Sequence, residues 1–246
     1  MHPLPKGSKV LGESNDTLLY LSVLEGFDGE VVIKALKSDD PSPRALERLR
    51  NELTYTKASK ITGVRKSYDL IKLNGKDALV LEFVPGESLK SLAVQRFFTL
   101  EIFLKVGVEL CDLLGKIHKN NIVHRDFNSN NILLNPNDLM LRIIDFENAT
   151  SISVKANHLG NPGTLEGTLQ YISPEQTGRM NRTVDYRTDL YSLGISLYET
   201  LTGRLPFETH DPLELVHYHL AKTPVSPSII NTSIPEAVSS IILKLL

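Results

Sequence analysis

A chain of 246 residues is long enough to bury a sizeable core, as one large domain or as two smaller lobes. Its 41% apolar and 23% charged content is ordinary for a globular protein, and a net charge of −2 gives no basic footprint for nucleic acid or an anionic membrane. No run reaches the roughly 18 apolar residues of a membrane span, the start Met1-His2-Pro3-Leu4-Pro5-Lys6 lacks a signal-peptide core, and the single Cys111 has no internal disulfide partner, so a reducing cytoplasm is expected.

Residues 9–37 read as strands. Thr17–Leu24 and Val31–Leu36 are β-rich runs joined through Gly26-Phe27-Asp28-Gly29, a turn signal. Ser42-Pro43 predicts an N-cap with proline at the first helical position, and Leu46, Leu49 and Leu53 give the following helix an apolar stripe. Two further strands, Tyr68–Leu73 and Ala78–Val84, are split by Asn74-Gly75, a hairpin signal. From Pro85-Gly86 the pattern turns helical. Thr99 caps a long helix whose Ile102, Val106, Leu110, Leu113, Leu114 and Ile117 keep helical spacing, and Cys111 within it is expected to be buried. Later helices are predicted over 186–203, 211–221 and 235–246. A sheet-rich first third followed by helices, hinged near 83–87, is an α+β plan of two lobes.

The chemistry concentrates in His124-Arg125-Asp126-Phe127-Asn128-Ser129-Asn130-Asn131 and in Ile143-Ile144-Asp145-Phe146. An Asp is followed by an Asn five residues later and by a second Asp after nineteen, each beside an apolar run. Phosphoryl transfer calls for such a set. One carboxylate orients the attacking hydroxyl, while an amide oxygen and another carboxylate hold the metal that bridges the nucleotide phosphates.

These two motifs resemble the catalytic and metal-binding loops of eukaryotic-type protein kinases. Further stretches match. Val31-Val32-Ile33-Lys34 is similar to the strand whose lysine pairs the α- and β-phosphates, and Glu52 borders the Leu49/Leu53 stripe as its helix partner, with Glu47 farther round toward solvent. Leu79–Val84 resembles the strand leading to the hinge, where backbone groups of Glu82 and Val84 would bind adenine and Leu81 would be gatekeeper. Gly167–Glu175 resembles the end of an activation segment, Asp189-Leu190-Tyr191-Ser192-Leu193-Gly194 the helix whose Asp braces the catalytic loop, and Thr202–Phe207 the loop closing that helix. Glu166–Arg182 is similar to kinase-like N-terminal domains of large bacterial signalling proteins that continue into ATPase, GAF and histidine kinase modules.

The resemblance implies a tail over 1–8, a sheet-rich N-lobe over 9–84 and a helical C-lobe over 85–246, truncated at its end. It implies Lys34, Asp126, Asn131 and Asp145 as catalytic residues, with Asn131 and Asp145 holding Mg2+. It implies an ATP site of Leu11, Gly12, Ser14, Leu19, Lys34, Glu52, Glu82, Val84 and Leu133. A protein substrate is the implied partner, and further signalling domains are expected on the same polypeptide.

Several positions depart from the family pattern. Gly12, Ser14 and Thr17 stand where the phosphate loop has three glycines, although small hydroxyl residues can donate hydrogen bonds of their own. Asn128 replaces a lysine that neutralises the γ-phosphate. Glu147 replaces the Gly after Asp145-Phe146, either pointing to solvent or standing beside the metal. Arg125 beside Asp126 fits control by a phosphorylated residue among Thr150, Ser151, Ser153, Thr164 and Thr168, with Thr164 the better candidate and Thr168 orienting Asp126. The stripe Val238, Ile241, Ile242, Leu245 and Leu246 has no polar turn or Gly cap, and no Arg follows Arg204 to give Glu175 the partner that the family's next helix supplies. Three functions fit: a protein Ser/Thr kinase, a nucleotide-binding pseudokinase or scaffold, and a small-molecule phosphotransferase of kinase-like fold.

Overall fold

The computed structural model of the chain describes residues 5, 7–151, 167–180 and 182–246. Ser153, Thr164, Glu166 and Asn181, singled out in the sequence, lie outside them. The chain forms two compact units, one of residues up to Pro85 together with Ile144–Asn148, the other of Gly86–Ile143 together with Ala149 onward.

The first unit is an antiparallel sheet with one helix. Strands β1 (Lys9–Glu13), β2 (Thr17–Val23), β3 (Glu30–Leu36), β4 (Ser67–Leu73) and β5 (Lys76–Glu82) lie in the order β1-β2-β3-β5-β4, and helix α1 (Pro43–Thr56) connects β3 to β4. Alternation along β3 decides its two faces. Val31, Ile33 and Ala35 pack with Leu24, Leu73, Ala78 and Val80. Val32 and Leu36 pack on the other side with Leu79, Leu81 and the α1 residues Ala45 and Leu49. Lys34, two residues from each, shares the helix-facing side.

Local chemistry sets the boundaries. The Ser42 side chain accepts a hydrogen bond from the Ala45 N–H at 3.2 Å, with Pro43 opening α1. Asn74 and Gly75 both take positive φ, 51° and 87°, as a primed hairpin turn requires. So tight a turn lets pairing begin at Leu73↔Lys76, and β5 therefore starts and ends two residues earlier than the predicted 78–84.

The second unit contains β6 (Glu87–Ser88), α2 (Leu89–Val94), α3 (Leu100–Lys119), β7 (Ile122–Val123), β8 (Ile132–Leu134), β9 (Leu141–Ile143) and β10 (Thr150–Ser151). Two 3-10 turns, Leu169–Tyr171 and Pro174–Thr177, precede α4 (Arg187–Thr202), α5 (Pro212–Ala221), α6 (Pro227–Ile230) and α7 (Glu236–Leu243). β6, β8 and β9 form one small sheet and β7 with β10 another. Thr99 caps α3 as expected, accepting from the Ile102 N–H at 3.3 Å. Val106, Leu110, Leu113, Leu114 and Ile117 are buried, but Cys111 is exposed. One residue past Leu110 is a turn of about 100° away from the buried stripe, which corrects the expectation of a buried thiol.

Helix α4 is buried along almost its whole length. A β-carbon on its Gly194 would lie 2.7 Å from Leu245 Cβ, so that glycine admits the chain's last residues. Of the C-terminal stripe, Ile242 is buried, Leu246 joins the cluster of Tyr171, Tyr191, Ile195, Phe207 and Leu215, and Ile241 stays exposed. Among the described residues no helix is long and apolar enough to cross a membrane.

Candidate active site

Residues singled out in the sequence assemble in each unit. In the first, Lys34 projects from β3 toward α1, where the N-capped helix presents Glu52 at 2.9 Å. Its ammonium also meets Asp145 at 3.1 Å and Glu147 at 2.7 Å. Lys34 and Glu52 side chains are 7% and 1% exposed, so this is a buried pair, not a partly exposed one. Arg65, which no sequence signal marked, holds the other Glu52 oxygen at 3.0 Å and is itself buried.

Two cations, Lys34 and Arg65, thus stand among three carboxylates. Burial alone would lower the Lys34 pKa, but Asp145, Glu52 and Glu147 together hold it above the ordinary lysine value. The surplus negative charge falls on Glu147. Burial raises its pKa against the pull of Lys34, and Asp145 and Glu52 raise it further. Of the two placements expected for Glu147, the metal side describes it better than solvent: its carboxylate pairs with Lys34 and lies within 4.8 Å of those of Asp145, the expected metal ligand, and Glu52.

The supporting shell is polar. Thr56 donates its hydroxyl proton to the Glu52 carbonyl at 2.7 Å and lies 2.8 Å from the Ser67 hydroxyl, tying the end of α1 to the start of β4. Asn51 of α1 donates to the Glu147 carbonyl at 2.8 Å. Asp145 takes φ 65°, a left-handed conformation that costs a non-glycine residue roughly 1 kcal/mol or more and is kept only where surroundings enforce it.

The expected nucleotide residues of this unit are spread along the sheet. Leu11 is exposed on β1, and Leu19, opposite Lys34 on β2, packs with the helix-facing core. Gly12 has open space where a β-carbon would go. The Ser14 and Thr17 hydroxyls bond each other at 2.8 Å and the Thr17 N–H donates to Ser14 Oγ at 3.1 Å, which closes the β1–β2 turn. Both hydroxyls serve this turn. Glu82 donates its N–H to the Lys66 carbonyl at 2.9 Å, so that group is spent within the sheet and adenine recognition is left to other backbone groups of Glu82–Val84.

In the second unit the loop after β7 is held by backbone and side-chain bonds. Asp189 of α4 is fully buried and accepts from the His124 and Arg125 N–H groups, each at 2.8 Å, and from His118 Nε2 at 2.9 Å. That bond fixes the His118 tautomer with its proton on Nε2. Arg125 takes φ 63°, which turns the chain sharply before Asp126. Asp126 Oδ1 accepts from the Thr168 N–H at 2.9 Å and from Asn128 Nδ2 at 2.9 Å. Asn128 Nδ2 also lies 3.3 Å from the Thr168 hydroxyl.

Asn131 Nδ2 donates to the Asp126 carbonyl at 3.0 Å and approaches its Oδ2 at 3.4 Å. With its nitrogen so committed, the amide oxygen is the atom that Asn131 offers a cation. Carboxylate and amide oxygens are hard donors of the kind Mg2+ prefers: the second unit offers this amide, and the first offers the carboxylates of Glu52, Asp145 and Glu147, within 4.8 Å of one another. Leu133, on β8, is half-buried and pairs with Arg142. Below the loop, Ser129 and Tyr171 both donate to buried Glu199 of α4, a link without a sequence signal.

A family model described as protein kinase domain matches residues 7–246. The serine/threonine-protein kinase PksC of Streptomyces coelicolor is 30% identical over 96% of the chain and 44% of its own length. The serine/threonine-protein kinase PknB of Mycobacterium tuberculosis is 30% identical over 97% of the chain and 38% of its length. A probable serine/threonine-protein kinase of Clostridium perfringens is 28% identical over 95% and 34%. The chain therefore spans less than half the length of these relatives.

Proposed function

The chain belongs to the protein kinase family, and from that premise we propose that it transfers the γ-phosphate of ATP to serine and threonine hydroxyls of proteins. The observation that carries the proposal is the Asp126 carboxylate, held on one oxygen by the Thr168 N–H and Asn128 and braced from behind by Asp189. A carboxylate so fixed, with its backbone turned by Arg125, suits the base that orients a hydroxyl for attack. Lys34 binds the α- and β-phosphates, and Asn131 with Asp145 holds Mg2+, which neutralises charge on the phosphates when bound. Asn128 supplies a neutral hydrogen bond where the usual protein kinase pattern has a lysine. Leu11, Leu19, Leu133 and the Glu82–Val84 backbone receive the adenosine.

A cytoplasmic location, a role in signal transduction and further domains on a longer polypeptide belong to the same proposal, the last supported by the partial coverage of the relatives. One observation favours a second reading, a nucleotide-binding scaffold: Glu147 already occupies Lys34. Transfer of γ-labelled phosphate to generic protein substrates, with magnesium, separates the two. Wild type should label protein and Asp126→Asn should lose about 10²–10⁴-fold in rate with ADP affinity kept. No transfer by wild type, with ADP still bound, would favour the scaffold.

A further inference from the structure

We propose that Glu147 sets the nucleotide affinity of this chain by occupying, in the nucleotide's absence, the hydrogen-bonding position on Lys34 that a phosphate oxygen takes. The inference rests on the kinase reading and names the residue that a phosphate must displace.

An ammonium group has three protons, and Lys34 stands within 3.1 Å of three carboxylates, Glu52, Asp145 and Glu147. No donor remains for a fourth acceptor unless one of the three leaves. Glu52 is held in place, because Arg65 grips its second oxygen and its side chain is 1% exposed. Asp145, at 3.1 Å with a side chain 31% exposed, is the looser contact, but its short side chain on a left-handed backbone limits how far its carboxylate can move. Glu147 makes the shortest contact, 2.7 Å, with a side chain 16% exposed. Its main chain is anchored through the Asn51 bond to its carbonyl, yet its longer side chain has the rotamer freedom to swing away without moving that anchor.

Charge favours the same choice. Lys34 and Arg65 offset two of the three carboxylates, leaving one negative charge in excess before any phosphate arrives. Expelling the Glu147 carboxylate removes that excess, so the anionic phosphate enters a neutral cluster in place of a negative one. Apparent affinity then falls by the fraction of molecules in which Lys34 is unoccupied. A resting state with Glu147 off Lys34 one time in ten carries about a ten-fold penalty.

The test is ADP and adenosine binding by calorimetry, with magnesium, for wild type, Glu147→Ala and Glu147→Gln. Circular dichroism confirms that each variant is folded. Glu147→Ala should bind ADP about ten-fold tighter, and Glu147→Gln, which keeps the length but loses the charge, should gain by a smaller factor. Adenosine presents no phosphate to Lys34, so its affinity should be the same for all three. Equal or weaker ADP binding by Glu147→Ala, or an equal gain for adenosine, overturns the inference. Wild-type phosphotransfer decides the kinase reading separately, since it can stand with Glu147 inert, whereas ADP binding by none of the three forms sinks both.

Discussion

Lys34 and Asp126 are each the centre of a polar cluster, and the two clusters are built on opposite principles. Around Lys34 the contacts are between full charges, buried, with three carboxylates to two cations. Around Asp126 the hydrogen bonds described above come from neutral groups: a backbone N–H and two amide side chains, with a hydroxyl one step further out. A charged cluster depends on its count of charges, so the loss of one member changes every other. A neutral network depends on direction, so each member contributes a separate, smaller share.

The sharpest way to break this contrast is Lys34→Met. It leaves Glu52 with Arg65 and abandons Asp145 and Glu147 side by side. Removing one member of a buried ion cluster costs roughly 3–5 kcal/mol, so thermal unfolding should begin at a midpoint lower by about 10 °C, along with loss of phosphotransfer. A midpoint within a degree or two of wild type would show that the cluster is screened by solvent, and the contrast would fail.

Much of the first unit was legible in the sequence, because its signals are local. Ser42-Pro43, Asn74-Gly75 and the Leu46/Leu49/Leu53 stripe each act within a few residues. The choice of Glu52 over Glu47 followed from helix geometry alone, and the pair is formed. Arg65 gave no such signal, since only the fold brings it to Glu52. The same holds for Glu147 on Lys34, 113 residues apart by sequence number, and for Glu199 beneath Ser129. Helices α2 and α6 are too short for periodicity to reveal them, and the Ser14–Thr17 bond that closes the β1–β2 turn has no composition signal of its own.

Away from both clusters, a buried histidine of the second unit carries a pH signature of its own. His219 of α5 is buried, its Nδ1 accepting from the Tyr191 hydroxyl at 2.8 Å and its Nε2 donating to the Leu169 carbonyl at 3.1 Å. Burial lowers its pKa to about 4, with the Leu169 bond opposing. The folded chain therefore keeps His219 neutral while the unfolded chain takes up a proton below about pH 6.5. Stability from this residue is complete above that pH and is lost as pH falls toward 4, by at most about 3 kcal/mol. Urea unfolding of wild type and His219→Gln across that window checks it: the variant should lose the His219 share of the slope, and an unchanged slope would be the contrary result.

The smallest expected effect sharpens the contrast from the other end. Asn128→Ala removes one neutral donor from Asp126, worth about 1.5 kcal/mol when the acceptor is charged. Turnover should fall roughly ten-fold, with the unfolding midpoint shifted little. A loss as large as that of Asp126→Asn would mean that the network acts as a unit after all.

The Lys34 cluster also imposes an order on synthesis. Its first pair spans 18 residues and can close as soon as α1 leaves the ribosome. The bond to Asp145 spans 111 and must wait for the chain to grow that far. Domains assemble from the N-terminus at about 5–20 residues per second, so the interval is on the order of ten seconds. During it the young sheet carries Lys34 and Arg65 with Glu52 alone, a positive pocket in place of the negative one that the finished chain contains. The nascent protein thus passes through a stage of opposite charge at this spot, in which an anion from the surroundings would be drawn to the place later taken by Asp145 and Glu147.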